Sequence, residues 1–348
     1  MIQYSDDYWK EVRQVLNRVP DVAELFGKSI LITGATGMIC SAVVELLLEL
    51  NKSHDARISV FLAGRNRERL QARFASFVEG KDYCFVEYDA TKNSTIKVIP
   101  NYIIHGASPA DPASFSKYPV ETMFANLLGL KMLLDITQNN PGTRLIYISS
   151  SEVYGQKKEK RPFLESDYGF VDVLNPRACY PSSKRAAETM CAAYHEEYGV
   201  DFVVARPGHV YGPSITDTDS RASAQFTRKA KAREDIVMKS AGLQLRSYCY
   251  TLDCASAILT VLLKGGCGEA YNISNPQSVV TISELAECMA KAAGVNVVFE
   301  QATVQESKSY NLMDNSSLDS SKLEKLGWNG CYNLEKGIVS TIKYFSLV

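Results

Sequence analysis

Residues 29–40 read Ser-Ile-Leu-Ile-Thr-Gly-Ala-Thr-Gly-Met-Ile-Cys (SILITGATGMIC), and a Val- and Leu-rich stretch continues from there to Leu50. A short apolar, β-branched run predicts a buried strand, and the longer run predicts a helix, so the glycines form the turn between them. In such a turn Gly34 permits a sharp bend, and Gly37 lets the backbone approach a pyrophosphate at the positive end of the helix. The third small position of the pattern, which serves helix–strand packing, is held by Cys40. An ordinary strand–helix turn is the bland alternative. Between a first strand and a first helix, however, this spacing predicts a dinucleotide site, with Gly34, Thr36, Gly37, Met38 and Ile39 on the cofactor.

Outward from this turn, strands and helices alternate. Strands are expected at Arg57–Leu62, Tyr83–Tyr88, Tyr102–Gly106, Arg144–Ser149 and Phe202–Ala205, with helices over Asn66–Val78, Pro119–Gln138 and Tyr180–Tyr198. That alternation implies βαβ units and an α/β fold with a doubly wound parallel sheet of the Rossmann type. Residues 1–27 read as a helical extension, periodic over 6–26 and broken at Pro20. The dinucleotide domain is expected over 28–206 and again at about 245–272. A smaller, discontinuous substrate lobe takes 207–244 and 273–348, with the ligand cleft between the two.

The formal net charge of −1 argues against a basic nucleic-acid surface. No apolar run reaches membrane-spanning length, and the polar N-terminus MIQYSDDYWKEV is not a signal peptide. Nine cysteines and four histidines show no metal-ligand spacing, so no metal is expected. Cys84, Cys191 and Cys254 lie in apolar contexts and read as reduced core thiols of a cytoplasmic protein.

The second strand ends in Leu62-Ala-Gly-Arg-Asn-Arg67, without the acidic residue that usually holds the ribose hydroxyls of NAD. Arg65 and Arg67, with Asn66 between them, are suited to a 2′-phosphate and favour NADP; decoration of an exposed helix start is the alternative. Asp89 and Ala90, after the third strand, face the adenine in this reading. Farther on, Tyr180-Pro-Ser-Ser-Lys184 sets a phenol and an ammonium one helical turn apart. A phenol with its ordinary pKa near ~10 is a poor base at neutral pH, and nearby cations favour the phenolate. Lys184 and the nicotinamide cation are expected to do this, with Lys184 also holding the nicotinamide ribose.

With TGATGMI, HGAS (105–108), SSSEVYG, YPSSK, ARPGHVYGP (205–213), RSYCYTLD (246–253) and YNIS (271–274), the chain resembles the extended short-chain dehydrogenase/reductases, the nucleotide-sugar epimerase/dehydratase family. The likeness runs from Ile30 to about Trp328. Within the family HGASPADPASFSKYPVETMFANLLG and NPRACYPSSKRAAETM are most similar to UDP-glucuronate decarboxylases. The resemblance implies a tightly held NAD(P), a nucleoside-diphosphate sugar under the second lobe, a role in polysaccharide biosynthesis, and a homodimer formed through the two long helices. Likeness to the family favours NAD where the arginines favour NADP. Ala107, Ser108 and Pro207 join the cofactor contacts.

Counted back from Val153-Tyr154-Gly155, the family's catalytic hydroxyl falls on Ser150, beside Tyr180 at the sugar O4. Ser149 reads as packing, and strand alternation would put Ser150 and Glu152 on one side. Glu152 is what a simple 4-epimerase does not need. Dehydratases and glucuronate decarboxylases resemble this chain there, and the residue would act at C5; capping of the following loop is the bland reading. Ser151 stands where dehydratases carry an acid. His209 replaces an asparagine of the family pattern at the substrate, and Arg246 matches the arginine that grips the diphosphate. Relatives that bind glucuronate carry an arginine in the C-terminal lobe. Residues 308–322 contain none, which leaves Lys308 as a point charge for the carboxylate. Decarboxylation, 4,6-dehydration and epimerisation stay open, as does an NADP-dependent ketoreductase. A dinucleotide-binding scaffold is disfavoured by the presence of Ser150, Tyr180 and Lys184.

Overall fold

The computed structural model describes residues 2–216, 218–303 and 313–347. Its centre is strand β1 (Ser29–Thr33), paired in parallel with β2 (Ser59–Gly64) on one side and β4 (Tyr102–His105) on the other. Beyond β2 lies β3 (Cys84–Glu87); beyond β4 come β5 (Arg144–Ile148), β6 (Asp201–Pro207) and β10 (Ala270–Ile273). All seven strands run parallel, in the order β3-β2-β1-β4-β5-β6-β10. The order reverses between β1 and β4, and the carboxyl ends of these two strands open a crevice there.

Because the sheet is covered on both faces, its strands are continuous apolar runs, and side-chain alternation sorts them into two cores. Ile30, Ile32, Ile104 and Ile146 pack with α2 (Met38–His54) and α8 (Thr251–Lys264). Leu31, Ile103, Leu145 and Tyr147 face α5 (Pro119–Asn139) and α6 (Cys179–Tyr198) on the other side. The N-terminal α1 (Asp6–Leu16) buries Tyr8, Val12 and Val15 against the first core. It is shorter than the periodicity over 6–26 suggests, because the chain turns at Asn17 before reaching Pro20. Cys191 and Cys254 are buried, but Cys84 is exposed, since β3 is an edge strand.

The second lobe is built around β9 (Leu245–Tyr250). It pairs with β7 (His209–Tyr211) and β13 (Asn315–Ser316) in parallel and with β11 (Val279–Thr281) antiparallel. A separate parallel pair joins β8 (Ile236–Met238) and β12 (Val297–Phe299). Helices α7 (Ala222–Ala232), α9 (Ile282–Ala293), α10 (Ser321–Glu324) and α11 (Leu334–Tyr344) complete it. Among the described residues no helix is long and apolar enough to cross a membrane, and no group of His, Cys, Asp and Glu is placed to hold a metal ion.

Candidate active site

The glycine turn lies in the crevice. Gly34 has φ +71°, and a Cβ there would stand 2.6 Å from the Gly106 carbonyl oxygen, so the two strand ends approach as closely as backbones can. Thr33 Oγ1 pins the same place by accepting from the amides of Gly106 (3.2 Å) and Ala107 (3.1 Å), 2.7 Å from His105 Nδ1. Burial, helped by the charge of Lys184, pushes His105 down to about 3, so its ring is neutral.

From this turn a cleft of about 720 Å3 extends over the end of β2. Thr36, Gly37, Met38, Arg65, Asn66, Asp89, Ala90, Ala107 and Ser108 all line it. Its volume and its lining by the glycine turn at a helix start fit a dinucleotide. Arg67 does not belong to it. The helix expected over 66–78 is only the short α3 (Arg67–Arg73), capped by the Asn66 side chain. At its start Arg67 turns away to form a two-point ion pair with Glu79 (3.1 and 2.5 Å) above the ring of Phe85. Arg69 lines the cleft instead.

A second cavity, of about 180 Å3, adjoins the first and shares Gly34, Gly37, Met38, Ser108 and Arg221 with it. Ile39, Ser150, Ser151, Glu152, Tyr180, Lys184, Pro207 and His209 line its walls. Ile39 comes from α2, Pro207 and His209 from β6 and β7, and the rest from the turn after β5 and from α6. Strand β5 stops at Ile148, and Ser150 then caps a short helical turn over Ser151–Tyr154, accepting from the Glu152 amide at 3.2 Å. Ser150 and Glu152 therefore share the cavity through this turn and not through strand alternation. Helix α6 brings Tyr180 and Lys184; it is held to β6 by Arg206, which bonds Glu188 at 3.1 and 2.6 Å, and to α5 by Asn126 on Ser183 at 3.0 Å. Helix α4 (Pro112–Lys117) supports Tyr180 from outside the cavity, its Phe115 stacking on that ring with centroids 4.3 Å apart.

The electrostatics differ from the expectation that Lys184 acidifies the phenol. Burial and the Glu152 carboxylate push Tyr180 up to about 12; a hydrogen bond with Ser150 and the cations of Arg221 and Arg177 pull the other way. Lys184 is itself desolvated. Burial pushes its ammonium down to about 7, and Nζ donates to the Ile148 carbonyl at 2.8 Å, 4.6 Å from the centre of the Tyr147 ring. His209 is likewise pushed down to about 3 by burial and by the charges of Arg246 and Arg221, and its Nδ1 has no hydrogen-bond partner among the described residues.

Two residues at the site escaped the sequence reading, one behind the cavity and one in its wall. Arg177 bonds both oxygens of Glu152 (3.0 and 2.9 Å) and lies 4.8 Å from the Phe115 ring centre. Its only signal was its place three residues before Tyr180. Arg221, paired with Asp219, sits where the two cavities meet, and the irregular stretch around it offered no periodicity to place it. Arg246 is buried, donates to its own strand's Leu245 carbonyl at 2.9 Å, and lines neither cavity. Ser149 is buried, lines the smaller cavity, and its Oγ has no hydrogen-bond partner among the described residues. Lys308 lies outside the described residues.

A doubly wound sheet with a glycine cradle at its switch point, and a Ser–Tyr–Lys set opening off it, defines a dinucleotide-dependent class of protein. The model of the NAD dependent epimerase/dehydratase family matches residues 30–274, and the chain belongs to this family of enzymes. It is 30% identical over 320 residues to UDP-glucuronic acid decarboxylase 1 of Xenopus tropicalis, covering 91% of this chain and 72% of the relative. UDP-glucuronic acid decarboxylase 3 of Arabidopsis thaliana is also 30% identical, over 309 residues that cover 89% of this chain and 86% of the relative. Among solved structures, UDP-glucuronic acid 4-epimerase from Bacillus cereus, in complex with UDP-glucuronic acid and NAD, shares the fold. Its TM-score is 0.75 at 22% identity, over 91% of this chain and 98% of that one.

Proposed function

We propose that the chain binds a nicotinamide dinucleotide along the larger cavity with its nicotinamide end reaching the smaller, where Tyr180 and Lys184 stand, brings the sugar of a UDP-sugar beside it, oxidises that sugar at C4 and then acts at C5, with decarboxylation of UDP-glucuronate as the net reaction. The observation that supports this most is Glu152, which lines the same cavity as Ser150, Tyr180 and Lys184 and is held there by Arg177 on both of its oxygens. Hydride chemistry at C4 alone has no use for such a pair. In this reading 28–206 with 245–272 serve the dinucleotide, and 207–244 with 273–348 the sugar nucleotide.

A bound nicotinamide supplies an acceptor for the C4 hydride and gives it back at the end. Tyr180, as phenolate, takes the O4 proton while Ser150 holds the same oxygen. The phenolate is reached with the help of Ser150, Arg221 and Arg177, the groups that oppose burial at Tyr180. Once C4 is a ketone, the carboxylate on C5 is β to a carbonyl. Breaking the C5–C6 bond releases carbon dioxide and moves the electron pair toward O4, where the Tyr180 hydroxyl and Ser150 donate hydrogen bonds. C5 then takes up a proton, and Glu152 handles it, held in place by the Arg177 guanidinium on both of its oxygens.

The test is the mass of the product after incubation with UDP-glucuronate. Loss of carbon dioxide is expected, and Tyr180→Phe should lower the rate by about 10²–10⁴-fold. An unchanged mass with a new sugar isomer would replace this reading with epimerisation; loss of water from a nucleotide hexose would replace it with dehydration. We further place the working enzyme in the cytoplasm, which nine free cysteines support, and as a homodimer. Val120, Met123 and Phe124, exposed on α5, support the homodimer by offering a second copy an apolar face.

A further inference from the structure

We propose that Arg185 is a positioning residue for the reaction: with its neighbour Lys184 it holds the segment that carries Ser150 at both ends, and so sets the distance between Ser150 and Tyr180. The proposal rests on the reading of the smaller cavity as the place of sugar oxidation. There Ser150 and Tyr180 must reach one oxygen, yet the hydroxyl comes from the turn after β5 and the phenol from α6. Whatever ties the turn to the helix fixes their geometry.

The main-chain ties come from consecutive residues of α6. Before Ser150, Lys184 Nζ donates to the Ile148 carbonyl at 2.8 Å. After it, Arg185 Nε donates to the Val153 carbonyl at 2.6 Å, and Nη2 donates to the carbonyls of Tyr154 (3.1 Å) and Gly169 (2.9 Å). Carbonyls at the end of a helical turn have no partner within it, so the guanidinium closes the turn over Ser151–Tyr154 at its open end. Among the described residues Arg185 makes no ion pair, and its guanidinium bonds go to main-chain carbonyls.

The surroundings of the turn are fastened without it. The loop that brings Gly169 alongside is held by its own main chain: the Gly169 amide donates to the Tyr154 carbonyl, and Gln156 and Phe170 exchange bonds in both directions. Tyr154 is anchored through its hydroxyl, which donates to Asn272 and accepts from the buried Arg206. Glu152 has its own hold in Arg177. What remains for Arg185 is how far the turn stands from α6 on the side of Ser150, and there a misplacement of about 1 Å costs about 10²-fold in rate.

The experiment is a double-substitution cycle on the full chain loaded with NAD, with turnover of UDP-glucuronate as the readout. Arg185→Gln should lower kcat by about 10²-fold, while KM for UDP-glucuronate, NAD binding and melting temperature stay near those of the parent. Arg185→Lys, a point charge in place of a fork, should recover part of the loss. In a Ser150→Ala background, Arg185→Gln should cost less than about threefold more, because groups that act as a unit do not add. The same fold-loss in both backgrounds, an unchanged kcat, or a loss confined to KM or stability would overturn the proposal. A parent that converts no UDP-glucuronate overturns the reading of the cavity, and the positioning role with it. A parent that converts it while Arg185→Gln fails the cycle overturns the positioning role alone.

Discussion

Tyr180 and Lys184 divide their labour differently from what their spacing suggests. Four residues apart on one helix face, they invite the idea that the ammonium tunes the phenol. Yet Lys184 is buried deeply enough for its own pKa to fall from the ordinary lysine range to about 7. The pull on Tyr180 comes instead from Ser150, Arg221 and Arg177. A lowered folded-state pKa means that the unfolded chain binds the extra proton between about pH 7 and the ordinary lysine value near ~10.4. The burial penalty is therefore full below about 7 and fades as pH rises through that window. In the nucleotide-free protein, Lys184→Met should gain stability relative to the parent at pH 7 and lose that advantage toward pH ~10. Melting temperatures at both pH values would check this; a difference independent of pH would show that Lys184 is solvated. Tyr180, Lys184, Ser150 and Glu152 were legible because each lies in a local motif. Arg177 and Arg221 act through pairs and cavities assembled by the fold, so only the fold reveals them.

Strands and helices of the sheet were the most legible elements, because burial on both faces writes each strand as an unbroken apolar run. The expectations failed where a chain end or turn decides the outcome. The segment after β2 is rich in charge over 66–78 but forms only seven helical residues, and Arg67 at its start is taken up by Glu79 beyond its end while Arg69 lines the cleft. In the second lobe, strands of two or three residues, such as β7, β11 and β13, are too short for a period to emerge. The glycine turn allows a test at this scale. Gly34 and Gly199 both have φ +71°, but a Cβ at Gly199 meets nothing within 4 Å, whereas at Gly34 it would meet Gly106 O at 2.6 Å. Gly199→Ala should cost about 1–2 kcal/mol, the conformational part alone. Gly34→Ala should cost more and also weaken dinucleotide binding. Denaturant midpoints of the two variants compare them; equal losses would mean that the strand ends can part freely.

For the molecule as a whole, the two large cores leave an apolar face without cover on the outer side of α5. Under the homodimer reading, Phe124→Glu should convert the dimer to a monomer in sedimentation velocity, whereas an unchanged mass would send the search for the interface elsewhere. The path of the chain through the main sheet has a different kind of consequence. Strand β6 ends at Pro207, but its outer neighbour β10 is supplied only at Ala270–Ile273, after an excursion through the second lobe. On a ribosome adding about 5–20 residues each second, those ~66 residues take about 3–13 s. Throughout that interval the growing polypeptide displays the bare hydrogen-bonding edge of an apolar strand, the feature most apt to pair with a neighbouring nascent chain. Yield of this protein in a cell is thus governed by translation speed between codons 207 and 273 and by chaperones that can hold that edge, and synonymous codon choice there becomes a lever on its production.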